Sequence, residues 1–480
     1  MARRKLSLLT ITLLLTLLTP QTTNAQDPAY VTSFVSSLTY QNIGTSTATI
    51  SFIFTIGGSS DAVTINRTLE PGASDSAFLG NLSGAEALPI SSLQIASNQP
   101  LAMIQVQIPQ STTVKNRPLS NIPFFGSSQL YAATALNNRF GATTVMSVQN
   151  QHSSAADIGG QLYNADDLTA TPVPLPTRAA VAPGNIVAYD LGHLSAVPAG
   201  FNGSAVFTAV QSGTSTAAAI SGTILELETA DVGARAIEMI STSATKLYAA
   251  TALCNAFGGY TTAYAVQNAS LTTATLITIN YSNDTFETKR AEPGGKVSFN
   301  TCGAADMPSG FSGAAIVTSS ATPILGIGKA TGNSLFTGFV LEQEGYQKLA
   351  LPYVRYTSDD NFERGSRQRT NIAIQNIGDT TVTNVQVRYL DKLGNLVGTH
   401  TISTIAAGQK ANSKPVDAGS GIALLEFGTP DSNPGGGFGG GAIIEAPAGS
   451  QLIAIARVNS KLGQIKSQKI TMRSELSDRV

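Results

Sequence analysis

Apolar and polar residues alternate with a period of two through much of this chain. Ile50, Phe52, Phe54 and Ile56 share one phase, as do Ile372 and Ile374 within Thr370-Asn371-Ile372-Ala373-Ile374-Gln375-Asn376. Val385, Val387 and Tyr389 repeat the pattern one segment later. In an extended chain, successive side chains point to opposite sides, so this spacing predicts strands with one face inward and one in water. Turn signals separate the runs: Ile377-Gly378-Asp379, Asp391-Lys392-Leu393-Gly394-Asn395 and several Pro-Gly pairs. Helical periodicity is scarce, and the expected fold class is all-β.

The pattern recurs over long distances. Gln-Asn stands at Gln41-Asn42, Gln149-Asn150, Gln267-Asn268 and Gln375-Asn376, at spacings of 108, 118 and 108 residues. Pro71-Gly72, Pro183-Gly184, Pro293-Gly294 and Ala407-Gly408 keep step with it. The seven residues Leu130 to Leu136 return unchanged as Leu247 to Leu253. Self-similarity at this period means tandem domains. The expected organisation is a signal peptide (1–25) followed by four antiparallel β-sandwich repeats of immunoglobulin type (26–124, 125–243, 244–345 and 346–480), the last with a polar tail. No Trp marks a central strand, unlike antibody domains.

The run Thr370 to Asp379, followed by Val385-Gln386-Val387-Arg388-Tyr389-Leu390-Asp391 and Gly394, resembles the bacterial Ig-like repeats of the CARDB kind, a cell-adhesion-related class. All four repeats share parts of the pattern. The resemblance implies tandem Ig-like sandwiches on a secreted bacterial surface protein and says almost nothing about a ligand.

The N-terminus changes the picture further. Arg3, Arg4 and Lys5 precede a 13-residue apolar stretch from Leu6 to Leu18, and the small-residue site Thr23-Asn24-Ala25 follows. That is the layout of a secretory signal peptide, and the apolar run is shorter than the roughly 20 residues of a membrane-crossing helix. Cleavage is expected after Ala25, which places the mature chain outside the cytoplasm, secreted or at the cell surface. Beyond residue 25 stand 26 Lys and Arg against 30 Asp and Glu, a net charge of −4. Phosphate backbones need a basic stripe, so nucleic acid is not an expected partner. The short cluster Arg364, Arg367 and Arg369 reads as a solvated loop.

Candidate chemistry is sparse. The four repeated asparagines, Asn42, Asn150, Asn268 and Asn376, share the phase of the apolar residues before them, so each is expected inward at a strand end, bonded to turn backbone. By the same phase the preceding Gln faces outward. Cys254 and Cys302 are the only cysteines and fall in one repeat, which in an oxidising compartment predicts a disulfide. His152, His193 and His400 lie in different repeats without metal-ligand spacing. The glycines from Gly435 to Gly441 lack the ending of a phosphate loop and read as a flexible hairpin loop. Asp359, Asp360, Asn361 and Glu363 read as a solvated loop rather than a calcium site, and no metal or cofactor is expected.

The expected function is that of a non-enzymatic structural or adhesion protein, four modules forming a rod, with protein or glycan partners at the cell surface and copies of itself among them. A carbohydrate-binding module is the alternative, for which Tyr131, Tyr248 and Tyr264 are the stacking candidates. An enzyme of another type would need a cluster of titratable groups, and none is visible. One terminal module is expected to be incomplete, because too few residues precede Gln41 for a copy of the Leu130 to Leu136 strand. Tyr30 to Leu38 is the candidate edge for association with a second chain.

Overall fold

The computed structural model describes residues 34–56, 62–78, 90–110, 114, 117–122, 126–228, 233–332, 335–357, 368–419, 421–422, 437–460 and 466–467. Residues 1–33, with the expected signal peptide, lie outside the described residues. So do Asp359 to Glu363, Arg364 and Arg367, and the tail from 468 to 480. Nearly all regular structure is antiparallel strand, and no described helix is long and apolar enough to cross a membrane.

The strands fall into four successive units. The first contains β1 (Phe34–Asn42), β2 (Ala48–Ile56), β3 (Ala62–Leu69), β4 (Ser74–Phe78), β5 (Ile90–Ser97), β6 (Leu101–Pro109) and β7 (Arg117–Asn121). The second contains β8 (Gln129–Asn137), β9 (Ala142–Asn150), β10 (Ala156–Asn164), β11 (Val173–Val181), β12 (Ile186–Asp190), β13 (Phe201–Gln211), β14 (Ile220–Glu228) and β15 (Ala234–Glu238). The third contains β16 (Lys246–Cys254), β17 (Thr261–Asn268), β18 (Thr275–Tyr281), β19 (Phe286–Ala291), β20 (Lys296–Asn300), β21 (Phe311–Ser319), β22 (Ile324–Gly332) and β23 (Leu335–Val340). The fourth contains β24 (Lys348–Thr357), β25 (Gln368–Asn376), β26 (Val382–Asp391), β27 (Leu396–Ile405), β28 (Lys410–Ser413), β29 (Gly437–Glu445), β30 (Leu452–Ser460) and β31 (Lys466–Ser467).

One sheet order runs through all of them. The second unit has sheets β11-β10-β13-β8 and β12-β9-β14-β15, and the third has β19-β18-β21-β16 and β20-β17-β22-β23. The fourth repeats these as β27-β26-β29-β24 and β28-β25-β30, joined at Tyr356 and Arg369. Strand β8, with its Leu-Tyr-Ala-Ala-Thr-Ala-Leu run, pairs with β13 and thus belongs to the unit that follows the expected boundary near 124.

In the first unit the corresponding sheet is β3-β2-β5, and β5 has one partner among the described residues. Among the described residues, β5 lacks the neighbour that β8, β16 and β24 supply in the other units. Of the described part of the Tyr30 to Leu38 segment, Ser37 and Leu38 pair with β4 on one side and β6 on the other, which corrects the edge expectation there, while Phe34 to Ser36 pair with β6 alone among the described residues. The glycine-rich expectation is corrected too, because Gly437 to Gly441 lie within β29, an interior strand between β24 and β26. There glycine is required by close packing: a Cβ on Gly440 would stand 2.0 Å from the Leu390 carbonyl oxygen.

Alternation places large side chains between the two sheets of each unit. Tyr40, Tyr189, Tyr264 and Tyr389 are fully buried, against Phe52, Phe207, Phe339 and Phe438 respectively. Apolar burial does not stop at unit boundaries. Ala265, Leu325 and Ile327 of the third unit join the core of the second, and Ala373, Ile377, Ile453 and Ile455 of the fourth join the core of the third. Ala102, Ile104, Val106 and Leu119 of the first join the core of the fourth.

The last of these contacts brings the chain back on itself. The Ser74 amide donates to Lys392 O at 3.0 Å, and β31 pairs in parallel with β7. The final strands of the four units then meet in a circuit, β7 against β15, β15 against β23, β23 against β31 and β31 against β7. The expected rod is replaced by a closed ring, because the unit faces that would flank solvent in a rod carry apolar residues that fit the next unit.

Candidate functional site

The repeated Gln-Asn pairs sit where a strand of the second sheet meets a turn. Asn376 Nδ2 donates to Thr380 O (2.7 Å) and Ile405 O (3.0 Å), while its Oδ1 accepts from the Gly378 amide (3.0 Å). Asn42 bonds Ser46 O, Leu69 O and the Gly44 amide, and Asn150 bonds Ser154 O, Val181 O and the His152 amide. Asn268 bonds Thr273 O, Glu292 O and the Ser270 amide, and also accepts from the Thr322 hydroxyl at 2.7 Å. One amide side chain thus ties two turns and satisfies three backbone groups in each unit. These are contacts of architecture, and no ligand-facing atom remains on the four asparagines.

The outward expectation for the glutamines is corrected. Gln41, Gln267 and Gln375 are fully buried, and Gln149 is half-buried. Each donates Nε2 to the carbonyl of the turn glycine that keeps step with it: Gly72, Gly184, Gly294 and Gly408. Those glycines have φ between +68° and +78°, the left-handed region that glycine adopts without a Cβ penalty. At Gln267 the neighbouring unit completes the burial: its Nε2 also donates to Ala205 O of the preceding unit.

Cys254 and Cys302 form a disulfide, with Cα atoms 4.9 Å apart, between the end of β16 and the turn after β20. Tyr131, Tyr248 and Tyr264 make no exposed row; all three are buried, and the Tyr131 hydroxyl donates to Ala269 O of the third unit. The exposed aromatics among the described residues include Phe140, Phe257 and Phe286, and of these Phe140 and Phe257, 73% and 59% exposed, occupy matching positions in two units. Both hold left-handed backbone, at φ 52° and 51°, in matching turns after β8 and β16. Among the described residues no group of three or more His, Cys, Asp or Glu could hold a metal ion.

Charged side chains converge at the junctions between units. Between the second and third, Glu226 of β14 is wholly buried and pairs with Arg235 of β15 at 3.0 Å and with Lys329 of β22. It also accepts from the Thr134 hydroxyl on β8, and Lys329 donates to the same hydroxyl at 2.7 Å. The Arg235 guanidinium stacks 3.5 Å over the Phe336 ring. Burial pushes the Glu226 carboxyl up, but Lys329 and Arg235 outweigh it and hold the group down to about 2. Burial holds the Lys329 amine down to about 8 despite Glu226, and holds Lys296 down to about 7 with Lys329 adding repulsion.

The next junction has the same frame with a different filling. Ala330 pairs with Thr337 across β22 and β23 as Glu226 pairs with Arg235 across β14 and β15. Arg457 of β30 stands where Lys329 stands on β22, and Lys410 opens β28 as Lys296 opens β20. Thr251 on β16 matches Thr134 on β8. Where Glu226 fills the first junction, an open-mouthed cleft remains, lined by Thr251, Ala330, Thr337, Lys410 and Arg457 with Phe257 among the other lining residues. Lys410 Nζ donates to Ser312 at 3.2 Å, and burial together with Arg457 holds its amine down to about 7. Arg457 Nε is buried without a hydrogen-bond partner among the described residues.

Sequence reasoning missed this set. Leu225-Glu226-Leu227-Glu228 alternates as a half-solvated strand would, and nothing local says that a neighbouring unit covers the Glu226 side. The available signal was the rarity of charge: at 12% charged residues, about half the usual share, a charge inside a strand stands out from its background.

No family model matches the chain, and no curated protein does. A solved structure of the Bacteroides ovatus mixed-linkage glucan utilization locus SGBP-B, in complex with a mixed-linkage heptasaccharide, aligns over 83% of this chain and 88% of its own. The identity is 9% and the TM-score 0.11, too low to carry an argument about fold or ligand. The resemblance to CARDB-like repeats rests on the quoted residues alone.

Proposed function

We propose that this protein is a secreted, non-enzymatic structural or adhesion protein of the cell surface, built from four immunoglobulin-like β-sandwich modules closed into a ring. The observation that carries the reading is the circuit of β7, β15, β23 and β31 with the seam between the fourth and first units. Such closure uses the apolar faces of the modules on one another and leaves polar, weakly charged loops at the rim to meet partners. The disulfide fits an oxidising, extracellular setting. A second reading, glycan or small-ligand recognition, is favoured by Phe140 and Phe257, since exposed aromatics held in a sparsely populated backbone region concentrate at binding sites.

Export and attachment are tested together in producing cells. Fractionation and N-terminal sequencing should find a chain beginning near Gln26 outside the cytoplasm, and deletion should reduce attachment of the cells to surfaces or to each other. Cytoplasmic retention with Cys254 and Cys302 as free thiols, or attachment unchanged by deletion, overturns the reading.

A further inference from the structure

Two junctions of one ring share a frame and differ in charge. At the junction of the second and third units, one carboxylate lies between a threonine hydroxyl and the cation of the next unit. At the junction of the third and fourth units, the hydroxyl (Thr251) and the cation (Arg457) line the same position, but the carboxylate-bearing residue has become Ala330 and its partner Arg235 has become Thr337. Both replacements shorten the side chain, and the space they release is the cleft. Two cations, Arg457 and Lys410, then share a partly buried site that no acidic side chain lines among the described residues. Burying like charges without a counterion is costly, and an anion entering the site would relieve that cost.

We propose that this cleft binds a carboxylate ligand, whose oxygen atoms lie between Arg457, Lys410 and Thr251 in the position that Glu226 occupies at the preceding junction. Guanidinium recognises the planar carboxylate fork, and the threonine hydroxyl supplies a second donor. The mouth adds apolar contact: the Arg457 guanidinium carbon lies 5.5 Å from the Tyr260 ring centre and 5.8 Å from that of Phe257. An exposed aromatic beside the anion site suits a carboxylate on a body with a flat apolar face. A uronic-acid sugar and an acidic peptide both present that chemistry. The site stands independently of the export and adhesion reading, because purified protein is sufficient to test it.

Calorimetric titration of the full mature chain at about pH 6, where the Lys410 amine is charged, separates the cases. The probes are glucuronate, N-acetylglutamate, acetate, glucose and sulfate. At least one of the first two should bind at a single site and more tightly than acetate, the tighter of them naming the source, and glucose should not bind. Ala330→Glu, which returns the protein's own carboxylate to the site, and Arg457→Met should each weaken binding at least about tenfold. Circular dichroism establishes that each variant is folded, and the second decides if the first does not fold. The proposal is overturned if no carboxylate binds at tens of millimolar, if sulfate binds as tightly as the carboxylates, or if a folded variant binds as well as the parent.

Discussion

Replacing Glu226 by Gln keeps the shape of the side chain and removes its charge. Lys329 and Arg235 would then face one another across a buried junction without their common anion. Two routes give the cost. Removing one partner of a buried ion pair typically costs about 3 to 5 kcal/mol, because the remaining charge stays desolvated. Independently, a carboxyl held down to about 2 from an ordinary 4.5 is worth about 3 kcal/mol at neutral pH, at about 1.4 kcal/mol per unit. The sign is that of a depressed carboxylate: the stabilisation is complete above about pH 4.5 and is lost as pH falls toward 2. Urea melts followed by tyrosine fluorescence should therefore place Glu226→Gln about 3 kcal/mol below the parent at pH 7. The gap should narrow to about 1.5 kcal/mol at pH 3, where the parent itself is losing the charge. A gap below about 1 kcal/mol at pH 7, or one that does not change with pH, would refute the claim that the junction is held by this carboxylate.

Asn376→Ala, which strips three backbone groups of their partner, should cost about 1 to 3 kcal/mol, and Gln375→Ala about 1 kcal/mol, in denaturant melts. A Gln375→Ala variant as stable as the parent would show that the turn bond to Gly408 contributes nothing. Lys296 supplies a second pH test in a higher window: its amine is held down to about 7, so between about pH 7 and 10 the unfolded chain binds the extra proton and stability rises with pH. Lys296→Met should flatten that rise measurably, and equal slopes in the two proteins would argue against a buried amine. Replacing both Cys254 and Cys302 by Ser, which reopens a span of 48 residues, should lower the stability of the third unit by about 4 kcal/mol, and a thermal scan that finds no loss contradicts the link.

Strand content and repeat were legible from the chain alone because they depend on near neighbours. A period of two sets which side chains face the same way, and the four Gln-Asn pairs with their turn glycines mark one strand end four times. The inward Asn phase could be read for the same reason, since Ile374 and Asn376 are two residues apart on one strand. What lies against the opposite face is not a local property. Gln375 has the spacing of a solvent-facing residue and is buried all the same, while Glu226 shares the phase of Ile224 and Lys329 that of Ile327, and the two charges meet only because their units pack together. The ring itself depends on the match between the β24 face and Ala102, Ile104 and Val106, which are separated from it by more than 200 residues. Alternation shows that a strand has two faces; only the assembled tertiary structure decided that, at the junctions, the second face also meets protein. That decision turned scattered charges into one filled junction and one open cleft.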